Sequence, residues 1–191
     1  MRLRLVTINT AKEDRPYRRR IDLLARGLQA LSPDLVLLHE TLNTPDPCYD
    51  TTLSLADALG LDAIQAPARR KPRRVCGEVI VAPAGLGLLT RLPVVAHETL
   101  TLPTDPSDGE RIALFARIAT PAGELLVINT HLTFLRNGAG VRRRQIEAIF
   151  NHPWLELPWT AAVLGGDLNT NLPELPDLFA WVPEQWSLQD V

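Results

Sequence analysis

Apolar residues in this chain fall into short runs, and the spacing inside each run predicts the element it forms. Leu3 to Ile8 reads as an apolar strand that ends in Asn9. Tyr17 to Leu31 then places Ile21, Leu24, Leu28 and Leu31 on one helix face. Ser32-Pro33 stops that helix, because the residue before a proline is pushed out of helical geometry. Asp34-Leu35-Val36-Leu37-Leu38 follows as a strand apolar on both faces and runs into His39-Glu40. A helix between two such strands predicts a layered α/β arrangement.

Thr51 to Leu59 reads as a second helix with Gly60 as its C-terminal stop, and Leu61 to Ala66 as a weak strand. The next segment, Pro67-Ala68-Arg69-Arg70-Lys71-Pro72-Arg73-Arg74, is the most basic of the chain. It reads either as a phosphate-tracking loop or as a solvated, mobile one, and the arginine bias of the whole sequence favours the second. From Val75 onward the period is that of strands: Val79–Val81, Gly85–Arg91, Glu98–Leu102, Arg111–Ile118 and Leu125–His131, with Pro121-Ala122-Gly123 as a hairpin connection. Gly85-Leu86-Gly87 and Gly138-Ala139-Gly140 lack the spacing of a nucleotide-binding loop and read as structural. A helix over Val141–Asn151 is closed by Pro153.

The last strand, Thr160-Ala161-Ala162-Val163-Leu164, is short and uncharged, and reads as buried on both faces. Gly165-Gly166 lets the backbone pass close to a neighbour, and side-chain alternation puts Asp167 and Asn169 on one side with Leu168 turned back to the core.

Composition narrows the class without naming a function. No repeat or linker divides the 191 residues, so a single domain over residues 1–191 is expected. A hydrophobic fraction of 46% is ordinary for a globular chain, and a net charge of -2 excludes a global basic field for nucleic acid. Only Lys12 and Lys71 among the 20 basic residues are lysines. Cys48 and Cys76 are far apart, without the paired spacing of a zinc site, and read as reduced thiols. Neither a signal peptide nor a run long enough to span a bilayer is visible, which makes a cytoplasmic location the default expectation.

Four apolar strands end in polar residues of catalytic type: Asn9, Glu40, His131 and the Asp167/Asn169 pair. Singly, each is compatible with an ordinary turn or strand end. Together they supply oxygens for a hard metal ion and neutral donors for phosphoryl oxygens.

These residues also carry a resemblance. Val6-Thr7-Ile8-Asn9, Asp34 to Glu40, Leu88-Leu89-Thr90-Arg91-Leu92-Pro93, Asn129-Thr130-His131-Leu132, Arg142 to Gln145 and Gly165 to Asn169 are similar, in order and spacing, to the motifs of the endonuclease/exonuclease/phosphatase superfamily. The sequence departs from that pattern twice. His39 stands where the family usually has Gln, and the chain stops at Ser187–Val191, where the family continues toward a closing Ser-Asp-His motif.

The resemblance implies an α/β fold, a four-layer α/β/β/α sandwich of two mixed sheets flanked by helices, with the last strands missing. It also implies hydrolysis of a phosphodiester or phosphomonoester by in-line attack of water. Glu40, with Asn9, would hold Mg²⁺ or Mn²⁺. Asp167 would orient and deprotonate the water, and Asn169 and His131 would donate to phosphoryl oxygens. Without the Asp-His pair the chain is expected to be either a truncated form of a longer enzyme or a catalytically weakened member. The competing reading is a non-catalytic phosphate- or nucleic-acid-binding module that keeps the front half of the site. Among phosphate-ester substrates, Tyr17, Arg136, Arg142 to Arg144 and the basic segment lean slightly toward nucleic acid. An open sheet edge is expected to offer a surface for self-association.

Overall fold

The computed structural model describes residues 2–14, 16–75, 77–171 and 173–182, with the side chain of Cys48 left out. The readings for Cys76 and for Ser187–Val191 lie outside the described residues. The described strands form two four-stranded mixed sheets. In the first, β1 (Leu5–Asn9) pairs in parallel with β2 (Leu35–Leu42), and β2 pairs antiparallel with β4 (Glu78–Thr90), whose other edge carries β3 (Asp62–Val75). In the second, β5 (Val94–Thr101), β6 (Ile112–Thr120) and β7 (Gly123–His131) form an antiparallel meander, and β8 (Ala161–Asp167) adds to β7 in parallel.

Three apolar cores follow from the strand patterns and make the four layers. Leu35, Leu37, Leu86 and Leu88 of the first sheet face Leu114, Ala116, Ile118 and Val127 of the second. On the outer side of the first sheet, α1 (Tyr17–Leu31) and α2 (Thr51–Leu59) cover Val36, Leu38 and Leu89 with Ile21, Leu28 and Leu55. On the outer side of the second, α3 (Ala139–Phe150) and α4 (Leu175–Phe179) cover Phe115, Leu126 and Ile128 with Ile146, Ile149 and Leu178. Strands apolar on both faces are required wherever a sheet is covered on both sides. The chain is thus an α/β/β/α sandwich. No helix of the described residues is long and apolar enough to cross a membrane.

Two segments differ from the sequence reading. The basic segment is no loop: residues 67–74 belong to β3, and beyond Ala84 the β3–β4 pair continues as a two-stranded arm to Val75 and Glu78. Pro67 and Pro72 are tolerated there because β3 is an edge strand, the place in a sheet where proline is accommodated. On the arm's inner face Arg73 is 2% exposed, donating to the Ala82 carbonyl and pairing with Glu13 at 2.7 Å, while Val75 and Ala82 join the α1 core. The other correction concerns β8. Among the described residues it is the edge of its sheet, with Ala161 and Ala162 exposed instead of buried on both faces.

Gly85 marks where the first sheet bends. It is the β4 partner of both Thr41 and Pro67, and both flanking strands change register there. A Cβ at Gly85 would collide with the Ala66 carbonyl oxygen, whereas one at Gly27, on the exposed side of α1, meets nothing. Gly85→Ala is therefore expected to destabilise the fold by about 2 kcal/mol or more, and Gly27→Ala to stabilise it by about 0.5–1 kcal/mol. Urea denaturation of the two variants measures both signs.

Candidate active site

The five candidate residues come from the carboxyl ends of two parallel strand pairs, one in each sheet. In the first, Asn9 of β1 is in register with His39 of β2; in the second, His131 of β7 is in register with Asp167 of β8. Gly165 allows β8 to close against the first sheet, since a Cβ there would press on Leu37. At Gly166 (φ 148°) a Cβ would strike the Thr130 carbonyl. The two glycines therefore bring β8 against β2 and β7, and the two strand pairs end at one cleft.

That cleft encloses about 180 Å³, and Asn9, Glu40, His131, Asp167 and Asn169 all line it. Glu40 reaches it through a bulge: the β2–β4 register shifts between His39 and Thr41, leaving Glu40 unpaired with φ 53°. A left-handed glutamate is uncommon, and the bulge re-aims its side chain out of the alternating pattern. Asn169 also departs from simple alternation. The strand ends at Asp167, and Asn169 arrives through a left-handed turn (φ 49°), a conformation that asparagine tolerates.

Hydrogen bonds fix the donor and acceptor roles. Asn9 Nδ2 donates to Asp167 Oδ2 at 3.1 Å, and the Asn169 backbone N–H donates to Asp167 Oδ1 at 3.1 Å. Burial works to raise the Asp167 pKa, but these two bonds and the neighbouring His131 prevail and hold it below the usual carboxylate range. Asn169 Nδ2 donates to the Leu132 carbonyl at 2.8 Å, which commits one of its two amide hydrogens.

His39, at the position where the family usually has Gln, turns inward instead of toward the cleft. Its Nε2 lies 2.8 Å from Asn129 Oδ1, while Asn129 Nδ2 donates to the carbonyls of Leu38 (3.2 Å) and Gly87 (3.0 Å). With both amide hydrogens on carbonyls, Asn129 must accept from His39, so the His39 proton sits on Nε2. A glutamine amide can make the same donation. Burial lowers the His39 pKa, partly offset by that bond.

His131 is pushed down to about 4, first by burial and then by the charge of Arg111. Its Nε2 is 3.7 Å from Asp167 Oδ2. That spacing suits an ion pair, but a neutral imidazole has no charge to contribute, so at pH 7 the contact is polar only.

Four further residues shape the cleft and were not singled out as site residues from the sequence. Lys12 Nζ pairs with Glu40 Oε1 at 2.6 Å. Arg111 chelates Asp108 through Nε (3.1 Å) and Nη2 (2.9 Å) and lies 5.6 Å from the Phe134 ring centroid. Phe134 is 59% exposed at the mouth of the cleft, where a broader hollow of about 830 Å³ opens. Asn129 holds the sheets together behind the site. A polar residue between Ile128 and Thr130 in an apolar strand was the available signal for Asn129; nothing local marks Lys12 or Phe134.

The nucleic-acid-leaning residues divide. Arg69 and Lys71 line the cleft and Arg136 the broader hollow. Tyr17 does not: it is 4% exposed, with its hydroxyl 3.1 Å from Thr51 Oγ1. Arg142 is 5% exposed and donates to the carbonyls of Thr133 and Leu135, and Gln145 bonds the Thr133 N–H and the Pro103 carbonyl. The Arg-x-x-Gln pattern thus fixes the loop that carries Phe134.

Glu40, Asn9 and Asp167 offer carboxylate and amide oxygens, the donor chemistry of a hard divalent ion. Among the described residues no group of three or more His, Cys, Asp or Glu side chains is arranged to hold an ion. Their few oxygens would suit an ion that keeps several waters of its own, as Mg²⁺ does.

Solved structures carry the same arrangement of two packed sheets. An endonuclease/exonuclease/phosphatase from Beutenbergia cavernae superposes with a TM-score of 0.68 at 24% identity, over 90% of this chain and 49% of that one. The chain has the endonuclease/exonuclease/phosphatase fold. D. rerio TDP2 complexed with a single strand DNA product gives a TM-score of 0.69 at 19% identity, over 95% of this chain and 66% of that one. The human Nocturnin catalytic domain with bound sulfate gives 0.70 at 20% identity, over 94% and 69%. The chain thus spans about half to two thirds of the length of these members of the fold. No family model matches the sequence, and no curated protein matches it.

Acid should loosen this site. Both imidazoles have folded-state pKa values below the ordinary 6.5. The unfolded chain therefore binds more protons in that window, and stability that is full above pH 6.5 declines as pH falls toward 4. Melting temperatures across this range should fall with acidification, and His131→Gln should flatten the slope.

Proposed function

We propose that this chain is a metal-assisted phosphoesterase acting on nucleic acid. What supports the reading is the convergence of Asn9, Glu40, His131, Asp167 and Asn169 from both sheets into one cleft with cationic walls. Glu40 and Asn9 are the proposed ligands of Mg²⁺ or Mn²⁺. Bound there, the ion supplies neutralisation of a phosphoryl or leaving oxygen.

Asp167 orients the attacking water and receives its proton. Its lowered pKa makes it a weak base, so orientation is the larger part of its work. His131, neutral at pH 7, and the second amide hydrogen of Asn169 donate to phosphoryl oxygens as charge develops. Arg69, Lys71 and Arg136 face the path of a polyanion.

The exposed Phe134 ring favours nucleic acid over a lone phosphate ester. An aromatic face at the cleft mouth stacks an unpaired base whatever its identity. D. rerio TDP2, which shares the fold, is solved with a single strand DNA product.

In a Mg²⁺-dependent assay on a phosphodiester, Asp167→Ala should lower the rate by about 10²- to 10⁴-fold. Glu40→Ala should raise the Mg²⁺ concentration needed. Unchanged rates in both variants would falsify the enzyme reading, and a retained oligonucleotide affinity would then leave a binding module. Single-stranded DNA affinity should fall with salt, and Phe134→Ala should weaken it by about 1–3 kcal/mol. Affinity indifferent to both would exclude nucleic acid as the substrate.

A further inference from the structure

Lys12 lies three residues beyond the end of β1, in a turn that non-glycine residues rarely adopt. Ala11 (φ 55°) and Lys12 (φ 45°) are both left-handed. The turn closes on Glu40, itself left-handed at the β2 bulge. The Lys12 N–H donates to the Glu40 carbonyl at 2.8 Å, and Thr10 Oγ1 donates to the same oxygen at 2.9 Å. Asn9 Oδ1 accepts from the Ala11 N–H at 3.0 Å, and the Arg20 guanidinium binds the carbonyls of Thr10 and Lys12. Two unusual backbone segments are thus locked to each other, and together they bring Lys12 Nζ to 2.6 Å from Glu40 Oε1 inside the cleft.

An ordinary surface ion pair joins two free-swinging side chains and does not call for such a frame. Here the frame places a monovalent cation on the carboxylate proposed to hold the divalent one. We propose that Lys12 is a built-in counter-cation of the metal site: it holds Glu40 while no divalent ion is present, and the ion must displace it to bind. This rests on Glu40 being a metal ligand.

The proposal has two consequences. Divalent affinity is set below what the oxygen ligands alone would give, because the entering ion must break a short, fixed ion pair. The displaced ammonium also stays in the cleft, where an anionic substrate becomes its next partner. Metal and phosphate binding therefore reinforce each other.

Mn²⁺ binding to the full chain, followed by electron paramagnetic resonance of the free ion, tests the competition. Lys12→Met should bind Mn²⁺ at least about tenfold tighter than wild type. Lys12→Arg should stay near wild type, and Glu40→Gln should bind more weakly. Equal or weaker binding by Lys12→Met, with binding lost in Glu40→Gln, overturns the counter-cation role and leaves the metal site standing. Wild-type binding by Glu40→Gln overturns both.

Should Lys12→Met fail to fold, the wild-type chain gives an independent reading, because it contains only two lysines, Lys12 and Lys71. With 13C-labelled lysine, Mg²⁺ should shift the Lys12 side-chain resonance well beyond that of Lys71, which lines the same cleft. Mg²⁺ binding with an unmoved Lys12 resonance overturns the proposal.

Discussion

The Asn129 carboxamide is the contact on which the site's geometry depends. It lies 1% exposed on β7, in the second sheet, and all three of its hydrogen bonds cross to the first: to His39, to the Leu38 carbonyl and to the Gly87 carbonyl. Apolar packing between the sheets is strong but tolerates sliding, because it has little direction. A fully satisfied polar group in that layer fixes one register, since any shift leaves buried donors and acceptors unpaired. His39 precedes Glu40 and Asn129 lies two residues before His131, so this register also sets how the two halves of the site meet.

Two kinds of local stress surround that rigid seam. One is conformational: Ala11, Lys12, Glu40 and Asn169 hold left-handed backbones within one small region. The other is electrostatic. His131 is buried beside Arg111 and kept neutral, while Asp167 is kept ionised by donors from Asn9 and Asn169. Neutral donors facing a fixed carboxylate suit a phosphoryl group, which needs hydrogen bonds without a competing proton transfer.

Much of this was legible in the sequence wherever one element carried its own signal. Strands apolar on both faces disclosed covered sheets, and motifs at strand ends disclosed the superfamily fold. Pairing partners were less visible. The 67–74 segment read as a loop because its charge carries no strand period, and the pairing with β4 that makes it a strand is a property of the sheet. Tyr17 read as a groove aromatic because an amphipathic helix start does not say which neighbour covers it. Lys12 and Phe134 owe their places to a turn and a loop held by distant partners, Glu40 for one and Arg142 with Gln145 for the other.

Glu13 ties the arm to the site. It follows Lys12 directly, and its carboxylate is held by the buried guanidinium of Arg73 on β3. Two successive side chains of one short segment thus hold two separate parts of the first sheet, one the bulge of β2 and one the two-stranded arm. Changes made at these two places should not be additive. Loss of Arg73 would release the segment that aims Lys12, so a second change at Glu40 would act on a site already altered. Variation in the arm and variation in the carboxylate therefore form one coupled trait and should be mutated together.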